Sequence, residues 1–278
     1  MPGERSISNE ALVLGRRLHY VSRGAGPAVL LIHGMGAASH AWDRIELEGH
    51  RLIAVDLPGC GRSEVSGLQA PNDLAYLLQE LMGGLGHRSY SVVGHSLGAL
   101  VGLELALLRA ESVRAAVLIN PAIRVFPAAR LCQVPVVAEA AAAALEALPF
   151  PRALIRLYLR GLFGDRRRVT EAAVEAYART ASAPHYLRVQ LAQLRGLFSW
   201  SPGDRIRSLQ APTLVVWGAR DPFLPLPLGE RFARSLPGAR FVAIPGCGHA
   251  PAEECPGELC AAIVPFLAGC ASLRAVRT

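Results

Sequence analysis

Ser96 stands in Gly94-His95-Ser96-Leu97-Gly98, a G-x-S-x-G pattern between the apolar run YSVV (90–93) and the helical pattern LGALVGLELALL (97–108). A serine hydroxyl attacks a carbonyl only when a base takes its proton and donors receive the oxygen anion that forms. A tight strand-to-helix turn presents such a serine, and glycines on both sides remove side chains that would clash. The N–H of Leu97, at the start of the following helix, is one expected oxyanion donor. The second is expected from the glycine-rich turn His33-Gly34-Met35-Gly36 after the run AVLLI (28–32), with Met35 as the donor and Gly34 as the alternative.

The base should be one of eight histidines. His33 and His95 belong to turns already assigned and read as buried supports for nearby backbone, whereas His19, His40, His50, His87 and His185 have no strand-end setting. His249, in IPGCGHAP directly after the run RFVAI (240–244), sits in a tight loop from which it can reach Ser96. A carboxylate must orient that imidazole and stabilise its charged form. Asp221, in WGARDPFLP after the run TLVVW (213–217), is one strand earlier than His249. Asp56 opens a Pro-Gly turn and reads as structural, Asn120 cannot act as an anion, and Asp165 and Asp204 fall within or at the edge of a helical segment.

These residues need a scaffold that brings distant strand ends together. Six short apolar runs, 28–32, 51–55, 90–93, 115–119, 213–217 and 240–244, alternate with helical patterns over 72–85, 97–110 and 227–236. That alternation predicts an α/β fold, a mostly parallel sheet flanked by helices, with ligands at the carboxyl ends of the strands. From 121 to 204 the rhythm breaks into Ala-, Leu- and Arg-rich sequence: AEAAAAALEALPF, RALIRLYLRGLF and VTEAAVEAYART, punctuated by Pro149, Pro151, Gly161, Gly164 and Pro184. The division expected is a core of 1–120 and 205–278 with a helical cap of 121–204 lying over the strand ends.

Composition narrows the function classes. Hydrophobic residues make up 51% and charged residues 18%, a globular balance. The net charge of +7 comes entirely from arginine, since lysine is absent, and the arginines are dispersed from Arg5 to Arg277. No nucleic-acid motif accompanies that charge, so nucleic acid is not an expected partner. The six cysteines form no Cys-x-x-Cys pair and read as reduced thiols. The amino-terminal stretch MPGERSISNEALVLGRR lacks a secretory pattern and no apolar tract suits a membrane span, so a cytoplasmic protein is expected. No metal or organic cofactor is called for, and nothing specifies an oligomeric state.

The motifs HGMG (33–36), DLPGCGRS (56–63), GHSLG (94–98), WGARDPFLP (217–225) and GCGHAPAEECP (246–256), in the order Ser96, Asp221, His249, resemble those of the alpha/beta-hydrolase superfamily from about residue 11 to 268. The resemblance implies that 121–204 is the family's cap and lines the substrate pocket. A serine nucleophile separates the chain from relatives that use aspartate there. Ring-cleavage carbon–carbon hydrolases carry Asn before the serine and a glycine pair after the next residue, where this chain has His95 and Gly98-Ala99; hydroxynitrile lyases employ a lysine, which is absent. The expected function is therefore hydrolysis of a small to medium hydrophobic carboxylic ester through an acyl-enzyme, with Phe150, Tyr158, Phe163 and Tyr186 among the apolar residues available to the pocket. Lactonase, thioesterase and carbon–carbon hydrolase activities on the same triad are the alternatives, followed by a noncatalytic small-molecule receptor.

Overall fold

Eight strands, β1 (Ile7–Val13), β2 (Arg16–Arg23), β3 (Ala28–Ile32), β4 (Arg51–Val55), β5 (Tyr90–His95), β6 (Val113–Ile119), β7 (Thr213–Gly218) and β8 (Arg240–Ile244), form one sheet in the order β1-β2-β4-β3-β5-β6-β7-β8. The structure, a computed structural model, describes residues 6–123 and 151–275. Every pairing from β4 to β8 is parallel, while β1 with β2 and β2 with β4 are antiparallel.

All six strands expected from apolar runs are present. The β1–β2 hairpin is an addition to them: ISNEALV carries polar residues because it is the sheet's edge strand and largely exposed, and RRLHYVSR beside it is mostly half-buried rather than buried. Its two-residue turn has Leu14 at φ 48° and Gly15 at φ 75°, the pair of positive angles a type I′ hairpin needs.

Successive strand residues point to opposite faces, and each face has its own core. Leu30, Ile32, Val92 and Leu118 pack with Leu74 and Leu77 of α1 (Pro71–Gly84), Leu100 and Leu103 of α2 (Leu97–Leu108) and Ala233 of α6 (Leu226–Ser235). On the other face Val29, Leu31, Val93 and Val117 pack with Trp42, Ile45 and the α8 (Pro256–Ala275) residues Leu259 and Ile263. Burial on both faces explains the uninterrupted apolar run AVLLI of β3.

Between β6 and β7 the described residues form helices α3 (Arg152–Leu162), α4 (Glu171–Ala181) and α5 (Tyr186–Ser199) and no strand. The expected helical stretch 138–150, with Pro149 and Phe150, lies outside the described residues. Ile155, Leu159 and Leu162 of α3 and Val174 and Tyr177 of α4 cluster with Ala37, Ala41 and Ala250, which belong to the loops after β3 and β8. The inserted helices therefore pack on the carboxyl end of the sheet. At the segment's end, Trp200 Nε1 and the Arg205 guanidinium both donate to the buried Glu104 of α2.

The strand order places a crevice where it is needed. From β3 the chain moves to one side to make β4, and from β5 to the other side to make β6, so the loops after β3 and β5 diverge above adjacent strands. Those loops carry HGMG and GHSLG. Among the described residues no helix is long and apolar enough to cross a membrane.

Candidate active site

Ser96 occupies the single-residue turn between β5 and α2 with φ 53° and ψ −112°, a conformation costing about 1–3 kcal/mol for a residue with a side chain. Its surroundings hold it there: the Ser96 N–H donates to the Ile119 carbonyl at 2.9 Å, and its own carbonyl accepts from Ala99 and Ala122 at 3.2 Å each. A methyl group at Gly98 would run into the Ile32 carbonyl oxygen, and one at Gly94 into the Gly98 carbonyl oxygen. The G-x-S-x-G spacing thus lets the start of α2 lie directly on the ends of β3 and β5.

Three strand ends meet at this serine. His249 Nε2 is 3.1 Å from Ser96 Oγ, and His249 Nδ1 is 2.7 Å from Asp221 Oδ2. Each of the three residues is 9% exposed, enough for contact with a bound molecule while the interacting atoms stay shielded. Asp221 Oδ1 accepts the N–H groups of Phe223 and Leu224 at 2.8 and 3.0 Å, which fixes the carboxylate plane. Burial pushes the Asp221 carboxyl upward in pKa, but the hydrogen bond and charge of His249 and the Leu224 and Phe223 N–H groups outweigh it, leaving a net downward shift. The carboxylate is consequently ionised at neutral pH and can accept from the imidazole.

Asn120 is a supporting residue that sequence reasoning set aside. Although no anion, it donates from Nδ2 to Asp221 Oδ2 at 2.6 Å and accepts the Gly218 N–H at 3.1 Å. Its position at the end of β6, next to the strand preceding Asp221, was the available signal. His95 and His33 match their expected supporting roles. His95 Nε2 donates to the His249 carbonyl at 2.6 Å, and burial drives its pKa down to about 3, so the ring is neutral. His33 donates from Nδ1 to the Gly34 carbonyl and accepts the Leu57 N–H at Nε2. The His249 N–H donates to the Leu162 carbonyl of α3 at 2.8 Å, so the inserted helices and the serine turn hold the two sides of one peptide segment.

Asp56 is structural, as its turn setting suggested. It accepts from the Ser39 and Arg62 N–H groups at 2.7 and 2.9 Å and pairs with His19 at 2.7 Å, joining the segments after β3 and β4 to strand β2.

Above Ser96 is a cavity of about 160 Å³ lined by Met35, Ala37, His95, Ser96, Tyr158, Leu162, Tyr177, Phe223 and His249. Leu97 is the first residue of α2, whose leading N–H groups have no acceptor within the helix, and Met35 flanks the same space. Of the aromatic residues expected near the pocket, Tyr158 lines it, Tyr186 donates its hydroxyl to the Gly36 carbonyl at 3.4 Å, and Phe163 packs in the helix cluster instead. Tyr177, which sequence reasoning did not single out, lines the cavity with its hydroxyl tied to Glu253 at 2.8 Å. A larger and more open depression of about 400 Å³, between α5 and residues 65–69, contains none of Ser96, Asp221 or His249. Ser96 and His249 both line the smaller space.

The family model described as the alpha/beta hydrolase family matches residues 29–263, from β3 through α8. The chain belongs to the alpha/beta hydrolase family. As a hydrolase of this family it is similar to a 2-hydroxy-6-oxo-6-phenylhexa-2,4-dienoate hydrolase of Comamonas testosteroni, 28% identical over 90% of this chain and 91% of the relative. It is also similar to a protein named for carbamate hydrolysis, RutD of Klebsiella pneumoniae (strain 342), 32% identical over 81% of this chain and 85% of the relative. Among solved structures, a thermophilic esterase from Thermogutta terrifontis superposes with a TM-score of 0.80 at 25% identity, covering 95% of this alpha/beta hydrolase and 99% of the esterase.

Proposed function

We propose that this alpha/beta hydrolase cleaves carboxylic esters of small acyl groups through an acyl-enzyme. The observation that carries this reading is the unbroken hydrogen-bond chain from Asp221 through His249 to Ser96, ending in a cavity of about 160 Å³. Ser96 attacks the carbonyl carbon while His249 takes its proton, and Asp221 stabilises the imidazolium. The N–H groups of Met35 and Leu97 hold the tetrahedral oxyanion. His249 then returns the proton to the departing alcohol, and water repeats the sequence on the acyl group. Pockets for drug-sized ligands span roughly 300–1,000 Å³, so this space suits a small acyl group. Its described lining has no arginine or carboxylate, which favours an uncharged substrate.

A second reading follows from the relatives. The substrate in the name of the Comamonas testosteroni relative has a ketone and no ester, so its hydrolysis must break the carbon–carbon bond beside that ketone. The same serine and histidine can attack a ketone, but the leaving group is then a carbon acid that needs a proton. Similarity over nine-tenths of the chain favours this reading; His95 and Ala99, where ring-cleavage hydrolases carry Asn and Gly, weigh against it.

Turnover of p-nitrophenyl acetate and butyrate, a lactone, a thioester, a carbamate and a 2-hydroxy-6-oxo-hexadienoate, each with wild type and Ser96→Ala, separates these readings. Ester turnover that dominates and disappears in Ser96→Ala is the expected result. Faster cleavage of the dienoate would replace the ester assignment with the carbon–carbon one, and stoichiometric binding without turnover would make the protein a receptor.

A further inference from the structure

Outside the Ser96 cavity, two thiols and a carboxylate converge in the segment that carries His249. Cys247 lies two residues before His249, Glu254 ends the short helix α7 (Pro251–Glu254), and Cys255 follows it. All three are buried, at 0%, 3% and 1% exposure, and their ligand atoms lie within 4.8 Å of one another. Cys247 Sγ donates to Glu254 Oε2 at 3.8 Å. None of the three lines the Ser96 cavity.

We infer that Cys247, Glu254 and Cys255 form a binding site for a thiophilic divalent cation of the zinc or cadmium class. A tetrahedral zinc ion with Zn–S near 2.3 Å and Zn–O about 2.0–2.2 Å holds its ligand atoms roughly 3.5–3.8 Å apart, so these donors need to close by about 1 Å at most. The chemistry of the set, two soft sulfurs and one oxygen, selects zinc or cadmium over magnesium or calcium. Both thiols lose their protons to solvent as the ion binds, and water takes the fourth position.

Arg168 completes the charge balance. Its Nη1 lies 2.9 Å from Cys255 Sγ and also donates to the Glu254 carbonyl at 3.1 Å. Two thiolates and a carboxylate are neutralised by one divalent ion and one guanidinium. Arg168 is itself exposed, so it can move aside to admit the ion.

Glu254 has a second duty, accepting N–H groups from Gly248 at 2.6 Å, Gly164 at 3.2 Å and Asp165 at 2.8 Å. Backbone N–H groups make that clamp, the Cys247 thiol adding only a long 3.8 Å contact to Oε2, so two cysteines are not needed to hold the carboxylate. Ligation draws on the oxygen that holds Gly248, the neighbour of His249, so occupancy lowers turnover.

The test is titration of the reduced full-length protein with cadmium chloride, following the ultraviolet sulfur-to-cadmium charge-transfer band and the metal retained after gel filtration. One ion per chain is expected, with the band lost in Cys247→Ser and Cys255→Ser and kept in Ser96→Ala and in Cys260→Ser/Cys270→Ser. Zinc-loaded wild type should show two sulfur neighbours per ion by X-ray absorption, a readout that stands even where a cysteine variant misfolds. No band at one equivalent, a band removed only by the Cys260/Cys270 changes, or a sulfur-free zinc shell would overturn the assignment.

Discussion

Replacing Asp221 with asparagine is a severe test of the proposed mechanism because the structure dictates how the new amide must sit. In one orientation its oxygen takes the Oδ1 position and keeps the Phe223 and Leu224 N–H bonds, while its NH2 faces His249 Nδ1 and the Asn120 NH2. The other orientation points the NH2 at two buried backbone donors. Each buried donor left without an acceptor costs about 1–3 kcal/mol. The first orientation loses only the Asn120 bond, because His249 can answer a donor at Nδ1 by moving its own proton to Nε2. That tautomer presents N–H rather than a lone pair to Ser96 Oγ, so the base is already protonated where it must accept. A wrong tautomer of this kind lowers kcat about 10⁴-fold, which is roughly 5.5 kcal/mol of transition-state stabilisation. The assay is steady-state hydrolysis of p-nitrophenyl acetate near neutral pH, with circular dichroism to establish that the variant is folded. KM should change little, since Asp221 is absent from the cavity lining. A folded variant with a kcat loss below about tenfold would refute the role given to the Asp221–His249 contact.

Ser96→Ala should lower ester turnover by on the order of 10⁶, and an organophosphonate should label Ser96 alone, as intact-mass and peptide mapping would show. Gly98→Ala should destabilise the fold by about 3 kcal/mol or more, because the added methyl meets the Ile32 carbonyl and both partners are backbone; an unchanged urea midpoint would contradict this. Burial depresses the pKa of His40 to about 4 and that of His95 to about 3, below the unfolded value near 6.5. The unfolded chain therefore binds more protons, and the stability these neutral rings contribute at neutral pH is lost as pH falls from about 6.5 toward those folded values. His40→Leu should flatten that acid limb by roughly 1.2 kcal/mol per pH unit between pH 6 and 5 in denaturant titrations, and equal slopes for the two proteins would count against it.

The parts of the site legible in the sequence are those fixed by backbone geometry. Ser96 needed Gly94 and Gly98 because α2 starts against two strand ends, and that demand is local enough to appear as a five-residue pattern. His249 and Asp221 were legible through their places after β8 and β7, since parallel strands deliver their carboxyl ends to one edge. Asn120 was harder to see because its function is to hold another side chain: an amide that donates to Oδ2 while accepting Gly218 N–H has no signature apart from its neighbours. Tyr177 was missed for a related reason. It is one of several aromatics in amphipathic helical sequence, and only the packing of α4 against Ala37 and Ala250 brings its ring to the cavity. The β1–β2 hairpin escaped because an edge strand can keep its polar residues, whereas the central strands announce themselves by excluding them.

The way His249 is held also bears on why the bond cleaved is the least legible property. Its carbonyl is tied to His95 beside the nucleophile, its N–H to Leu162 in the inserted helix α3, and its imidazole to Asp221. In the proposed mechanism Ser96, His249 and Asp221 act as one unit able to attack any carbonyl that enters. Discrimination between an ester and a ketone then falls to what surrounds the leaving group, namely the cavity-lining residues Tyr158, Leu162, Tyr177 and Phe223. An alkoxide leaves with a proton from His249 alone, whereas a carbanion leaves only when a second group stabilises it. Tyr158 is the wall residue bearing on that choice: its phenol keeps its proton at neutral pH and can donate a hydrogen bond to a substrate oxygen. Tyr158→Phe should therefore leave ester kcat within about threefold while altering KM. A loss of kcat with KM unchanged would shift the assignment toward chemistry in which the phenol serves the leaving group.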